Sequence, residues 1–245
     1  MLRTGLTLSC LLLAACLGAA VHAAPLPDFS ASYELRLGSL RIGTSHLSLE
    51  NGAGGSYVYE ASSAPVELVS WLFRQALHET SRGTLAGAGV RPDSYHYLRS
   101  GGRERREALQ FDWQAMTVSN QVEDSRWKMD IPAGTLDKLA SQLAMMLALR
   151  AGKTDMAFNI ADDGKLREYR FKVVGKETLE LPAGTFDTVK ITRLRDNNKR
   201  ETYVWCAPEL NYLPVRIWQR EKDDREYQSD LAEFSESLRV ANESG

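Results

Sequence analysis

The chain has 245 residues, of which 43% are hydrophobic and 25% charged, enough for one substantial core. Its formal net charge of -2 excludes the basic excess expected of a nucleic-acid-binding protein. Charged blocks at 103–107 (RERRE) and 220–226 (REKDDRE) mix both signs and read as solvated strand ends and turns.

The first residues, MLRTGLTLSCLLLAACLGAAVHAA, carry one early cation at Arg3, then an apolar run, then small residues. This is the layout of a secretory signal peptide over residues 1–23. A membrane anchor is disfavoured because no basic stop-transfer flank follows, and no later stretch is apolar enough to cross a bilayer. Two maturation routes fit. VHA ahead of Ala24 suits cleavage after Ala23 and a free periplasmic protein, whereas LAAC at 13–16 is similar to a lipobox that would leave Cys16 as a lipid anchor.

From residue 29 onward, period-2 alternation recurs. FSASYELRLG (29–38) sets Phe29, Ala31, Tyr33, Leu35 and Leu37 against Ser30, Ser32, Glu34 and Arg36. Further alternating stretches lie at 41–50, 54–63, 76–85, 94–100, 105–113, 116–122 and 125–131. The C-terminal half adds 156–162, 166–181, 186–195, 200–207, 213–221 and 227–237. Short turns such as GAGG, RSGG, ADDG and RDNN join them, which is the signature of an antiparallel meander. About a dozen strands cannot stay flat, so the sheet is expected to curl into a barrel or half-barrel.

Two segments break the alternation. In 64–75, Pro65 and Glu67 resemble a helix start, and Val66, Val69 and Phe73 recur at helical spacing. The stretch 135–153 predicts a longer, nearly all-apolar helix with Thr135 as its cap, Arg150 near its end and Gly152 as its terminator. A helix apolar all round must be covered on most sides. Both helices are therefore expected on the concave side or mouth of the sheet, giving a mainly β (β-rich α+β) fold in one domain over 28–238, with a flexible tail at 239–245. The near-repeat IPAGTLDKL (131–139) and LPAGTFDTV (181–189) predicts a turn at both places.

Chemistry-bearing residues are sparse. Without its leader the chain keeps one cysteine, Cys206, which excludes an intramolecular disulfide. Trp205 precedes it and Ala207-Pro208 follow, with no cation or helix start nearby to activate a thiol. His46, His78 and His96 form no metal-binding spacing, and no G-x-S-x-G elbow is present. These observations predict no catalytic residue, no metal and no cofactor.

The blocks FSASYELRLGSLRIGTSHLSLE, ETSRGTL, RPDSYHY, FDW, LPAGTFDTVKI and YVWCAPELNYLPVRI occur in that order. Together they resemble the bacterial exported proteins of domain of unknown function 3108, over about residues 28–235. That family brings no established activity and no catalytic residues. The layout is also similar to the half-barrel periplasmic carriers of lipoprotein sorting, in which a curved sheet and covering helices enclose an apolar cavity. This second resemblance implies a cell-envelope protein that binds a lipid or the acyl chain of a lipoprotein, with Trp71, Leu72, Phe73, Leu143, Met145 and Met146 as candidate lining residues. A solid-core scaffold for an envelope protein partner is the alternative, and an unrecognised hydrolase the third.

Overall fold

The computed structural model describes residues 26–67, 74–86, 89–196 and 200–240. The leader with Cys16, and Trp71, Leu72 and Phe73, lie outside the described residues. Fourteen strands form one antiparallel sheet. They are β1 (Phe29–Leu37), β2 (Leu40–Asn51), β3 (Ser56–Pro65), β4 (Ala76–Ala86), β5 (Gly89–Ser100), β6 (Arg105–Asp112) and β7 (Thr117–Val122). The series continues with β8 (Ser125–Asp130), β9 (Asp155–Asp162), β10 (Lys165–Leu181), β11 (Gly184–Leu194), β12 (Arg200–Ala207), β13 (Leu213–Glu221) and β14 (Glu226–Phe234).

Each strand coincides with one of the alternating stretches, because alternation lets a strand bury one face and solvate the other. In β1, Phe29, Ala31 and Tyr33 are buried whereas Ser30, Ser32 and Glu34 are partly exposed. The order across the sheet is β8-β7-β6-β5-β4-β3-β2-β1-β14-β13-β12-β11-β10-β9. The first and last strands therefore pair, with Tyr33 opposite Leu231. The two free edges, β8 and β9, are consecutive in sequence, and no ladder joins them.

Between those edges the chain forms α1 (Ala140–Arg150), the single α-helix among the described residues. It packs against both β5 and β9, which stand ten places apart in the sheet. Laid flat, strands so separated would be about 48 Å apart. A helix is only about 10 Å across, so the sheet wraps around α1. Eight of its eleven residues are buried. Leu143, Met146 and Leu147 join a cluster with Tyr59, Tyr95 and Leu109, while Met145, Ala148 and Leu149 join Met156, Ile191, Val204 and Cys206. Fourteen strands enclose more space than wall side chains can fill. The helix fills much of it.

The sequence expectations need three corrections. The sheet has fourteen strands rather than about a dozen; it curls without closing, within the expected choice of barrel or half-barrel. The short helix expected over 64–75 does not begin at Pro65. Ala64 and Pro65 end β3, paired with Thr44 and Gly43, and the Val66 N–H donates to Ile42 O. The β3–β4 ladder stops at Ser63 opposite Leu77, so Pro65 needs no N–H on that side. Residues 68–73 of the expected helix lie outside the described residues. The longer helix starts at Ala140, later than expected, because the backbone before it is held extended. Leu136 N–H donates to Asn159 O and Leu136 O accepts from Ala161 N–H, both at 2.8 Å, forming a parallel bridge to β9. Asp137, not Thr135, then caps the first turn by accepting from the Ala140 N–H at 2.7 Å.

Side chains close the seam that the ladder leaves open. Trp127 of β8 donates through Nε1 to Gly164 O in the β9–β10 turn at 3.2 Å. Arg105 of β6 pairs with Asp163 of the same turn at 2.5 Å. Gly164 has φ +68°, and an added Cβ would overlap the Trp127 ring. Gly164→Ala combines left-handed backbone strain with that overlap and should cost about 2 kcal/mol or more, read as a lowered urea midpoint. An unchanged midpoint would show that Trp127 does not hold the seam.

Candidate ligand-binding site

The turn leading into α1 carries two charged side chains into the interior. Asp137, fully buried, accepts from the Ser81 hydroxyl of β4 through Oδ2 at 2.7 Å, and Ser81 also bonds the Tyr57 hydroxyl of β3 at 2.9 Å. Next to it, Lys138 reaches Asp162 of β9 at 3.2 Å and Glu107 of β6 at 3.6 Å. Its ammonium lies 5.0 Å from the Tyr97 ring centroid. Burial opposes the Lys138 charge, but Glu107, Asp162 and Glu79 outweigh it and hold its pKa above the ordinary value. Glu107 is only 3% exposed and also accepts from the Asp163 N–H at 2.8 Å. One turn thus ties β4 and β6 to β9, across the open seam.

Burial pushes the Asp137 carboxyl up to about 7, partly offset by its bonds from Ala140 and Ser81. Burial and the charge of Glu79 likewise raise the Tyr95 phenol, which donates to Glu79 Oε2 at 2.6 Å.

The placement of the sequence candidates is unequal. Leu143 and Met146 are fully buried and Met145 is 4% exposed, so all three pack within the core clusters. Trp71, Leu72 and Phe73 lie outside the described residues. Cys206 faces Val204 and Ile191 in the second cluster and is fully buried. Burial raises its thiol pKa well above the usual range, which leaves it protonated and unreactive. As alternation predicts, Tyr203 and Trp205 point the other way, where Trp205 donates to Glu177 at 2.8 Å.

Sequence reasoning missed a cavity of about 570 Å³ at the end of the barrel away from the buried tops of β1 and β2. Leu35, Ile42, Ala64, Pro65, Leu77 and Tyr227 supply its apolar lining, and Arg225 stands at it. The volume lies within the range of small-molecule sites. Two features open it. The β3–β4 ladder ends early, at Ser63 and Leu77, and Gly43 lets β3 approach closely, since a Cβ there would lie 2.6 Å from Ala64 O. The signal in the sequence was slight: Leu35 and Leu37 continue the apolar face of β1 past the point where the helix covers it.

Residues 32–228 match the family model described as protein of unknown function, DUF3108. The chain belongs to this family. No curated protein matches it. Among solved structures, a β-barrel-like DUF1849 protein from Brucella abortus is similar with a TM-score of 0.55 at 10% identity, covering 86% of this chain and 98% of that one. A Bacteroides fragilis protein assigned as exported, with a YmcC-like fold, gives a TM-score of 0.40 at 12% identity, covering 86% and 99%. A Parabacteroides distasonis protein assigned as a lipoprotein gives 0.32 at 13%, covering 86% and 97%. The Brucella likeness shows that this DUF3108 chain has a barrel-like fold, and at 10% identity it shows the fold alone.

The Asp137 carboxyl gives this DUF3108 protein a defined pH response. Its pKa is ordinary, 3.8, when unfolded and about 7 when folded, so folding takes up a proton between those values. The resulting stability is fully present below pH 4 and is lost as pH rises through 7, by at most about 4 kcal/mol. Asp137→Asn should flatten the fall in melting temperature between pH 4 and 7 relative to wild type. Parallel profiles for the two proteins would remove Asp137 from that role.

Proposed function

We propose that the protein is an exported, non-catalytic cell-envelope protein that binds an apolar chain, of the kind carried by a lipid or a lipoprotein, in the cavity at the open end of its barrel. One observation carries the reading: a 570 Å³ space lined by Leu35, Ile42, Ala64, Pro65, Leu77 and Tyr227 lies apart from the packed core around α1. Space bordered by apolar side chains and open to solvent gains free energy when an apolar group displaces its water. The signal peptide expected over residues 1–23 supports the periplasm as the compartment for such binding, with Cys16 as the anchor if the lipobox route is taken.

The chemistry of the interior supports binding over catalysis. Ser81 and Cys206 are both fully buried, and among the described residues no histidine bonds either of them. A nucleophile needs a base within hydrogen-bond reach and access for its substrate. The interior carboxylates are engaged with Ser81, Tyr95 and Lys138.

Native mass spectrometry of protein purified from its own envelope without detergent should show a bound hydrophobic species, and a fluorescent alkyl probe should bind the recombinant mature chain. Leu77 is only half-buried, so Leu77→Glu should leave the melting temperature nearly unchanged yet weaken the probe by about tenfold or more, as expected when one apolar wall becomes charged. A bare polypeptide mass together with no probe binding by wild type would overturn the proposal.

A further inference from the structure

At the same end of the barrel, the β11–β12 and β13–β14 hairpins end side by side and line a second pocket of about 570 Å³. Its charged lining is unbalanced. Arg193, Arg195, Arg200, Arg220 and Lys222 face only Glu201, Glu221 and Asp224. Two of the arginines are matched: Arg200 pairs with Glu221 at 2.7 Å and Arg220 with Glu201 at 2.6 Å. Among the described residues, Arg193, Arg195 and Lys222 have no carboxylate partner. Alternation carries Arg193 onto the face of Ile191, where its guanidinium stacks on the Tyr169 ring, 3.4 Å from the centroid. Its Nε is buried with no acceptor. Arg195 donates to the Thr202 hydroxyl at 3.0 Å and is half-buried. Burial, then the neighbouring charges of Arg193 and Arg200, bring its pKa down to about 10.

Cations withdrawn from water are normally paired. Here two guanidinium groups are held near one another, fixed by an aromatic ring and a hydroxyl, with donors unused. A fixed planar donor array of this kind matches an oxyanion, and phosphate best of all. We propose that the pocket between these hairpin ends binds a phosphate-type anionic group, with Arg193 and Arg195 as its direct ligands and Lys222 at its rim. The β13–β14 turn separates this pocket from the apolar cavity: Lys222 and Asp224 line one, Arg225 and Tyr227 the other. A single anionic amphiphile therefore fits both, its charged head on the arginines and its chain along Leu35 and Leu77. That last step rests on the apolar-chain reading above, whereas the anion site itself does not.

The test is titration calorimetry of the mature chain with inorganic phosphate, with dodecyl phosphate below its micelle concentration, and with an uncharged dodecyl analogue. Wild type should bind dodecyl phosphate at least about tenfold more tightly than the uncharged analogue, with the advantage shrinking as salt is added. Arg193→Gln/Arg195→Gln should remove that advantage and leave the uncharged analogue unaffected. Arg36→Gln/Arg82→Gln, which deletes equal charge elsewhere on the sheet, should not. Phosphate alone binding with the same dependence on Arg193 and Arg195 identifies a free anion as sufficient. Equal affinity of wild type and double variant for both phosphate and dodecyl phosphate overturns the proposal. Failure of every dodecyl compound, with phosphate still bound, overturns the apolar-chain reading and leaves the anion site standing. Arg195→Gln alone guards against misfolding of the double variant: it relieves like-charge crowding and should not lower the melting temperature, yet should weaken phosphate by several-fold.

Discussion

A sheet of fourteen strands with two unpaired edges keeps a barrel-like shape only if something other than a ladder spans the seam between β8 and β9. Here Trp127 of β8 bonds Gly164 beside β9, and the turn Asp137–Lys138 ties β4 and β6 to β9. Leu136 docks its backbone on β9, Asp137 reaches Ser81 on β4, and Lys138 spans Glu107 on β6 and Asp162 on β9. Each edge would otherwise offer free N–H and C=O groups to another chain. Charged pairs buried as deeply as Glu107 gain little net energy once desolvation is counted, but losing one partner leaves a costly orphan. The clamp therefore acts more to specify one closure than to add stability. The pH response of Asp137 is a by-product of that burial.

The clamp also divides the interior. Above it, α1 delivers Leu143, Met146 and Leu147 into a core shared with Tyr59, Tyr95 and Leu109. An eleven-residue helix is about 16 Å long, shorter than the twelve-residue strands β2 and β5 around it, which extend about 40 Å. One helix cannot fill the full depth of such a barrel. The far end is left to side chains of the strands themselves, and these turn from apolar to charged along each strand, as Ile191 gives way to Arg193 and Tyr95 to Arg99. The cavity at Leu35 and Leu77 and the arginine pocket beside it both follow from that shortfall.

Local pattern made the strands legible, since period-2 alternation is the physical consequence of one wet and one dry face. The turns of the two PAGT repeats were equally legible, as was the facing of Thr202, Val204 and Cys206 opposite Tyr203 and Trp205. What escaped was set by distance along the chain. Asp137 and Ser81 are separated by 56 residues, and nothing near Asp137 distinguishes an interior cap from an ordinary first-turn acid. Thr135 looked the better cap because propensity cannot register that Leu136 is already held by β9. Pro65 read as a helix start for a similar reason: its tolerance in β3 depends on where the neighbouring ladder ends. Arg193 and Arg195 looked like any charged strand end beside RDNN. Only the fold shows that Tyr169 pins one of them and that, among the described residues, no acid pairs with either.

The apolar helix illustrates how one sequence feature supports two readings that only packing separates. Adjacent methionines on an apolar helix suit a pliable pocket and a dense core equally well. Met145 and Met146 point about 100° apart around α1 and fill different clusters, so the helix packs against two parts of the wall at once. Removing either side chain would open a void between α1 and one set of strands, with the cost typical of a core truncation. A chain-shaped ligand gains no entry there without displacing the helix that holds the seam. Under the proposed function, ligand exchange therefore belongs to the barrel's far end, where the walls are already in place and the filling is not.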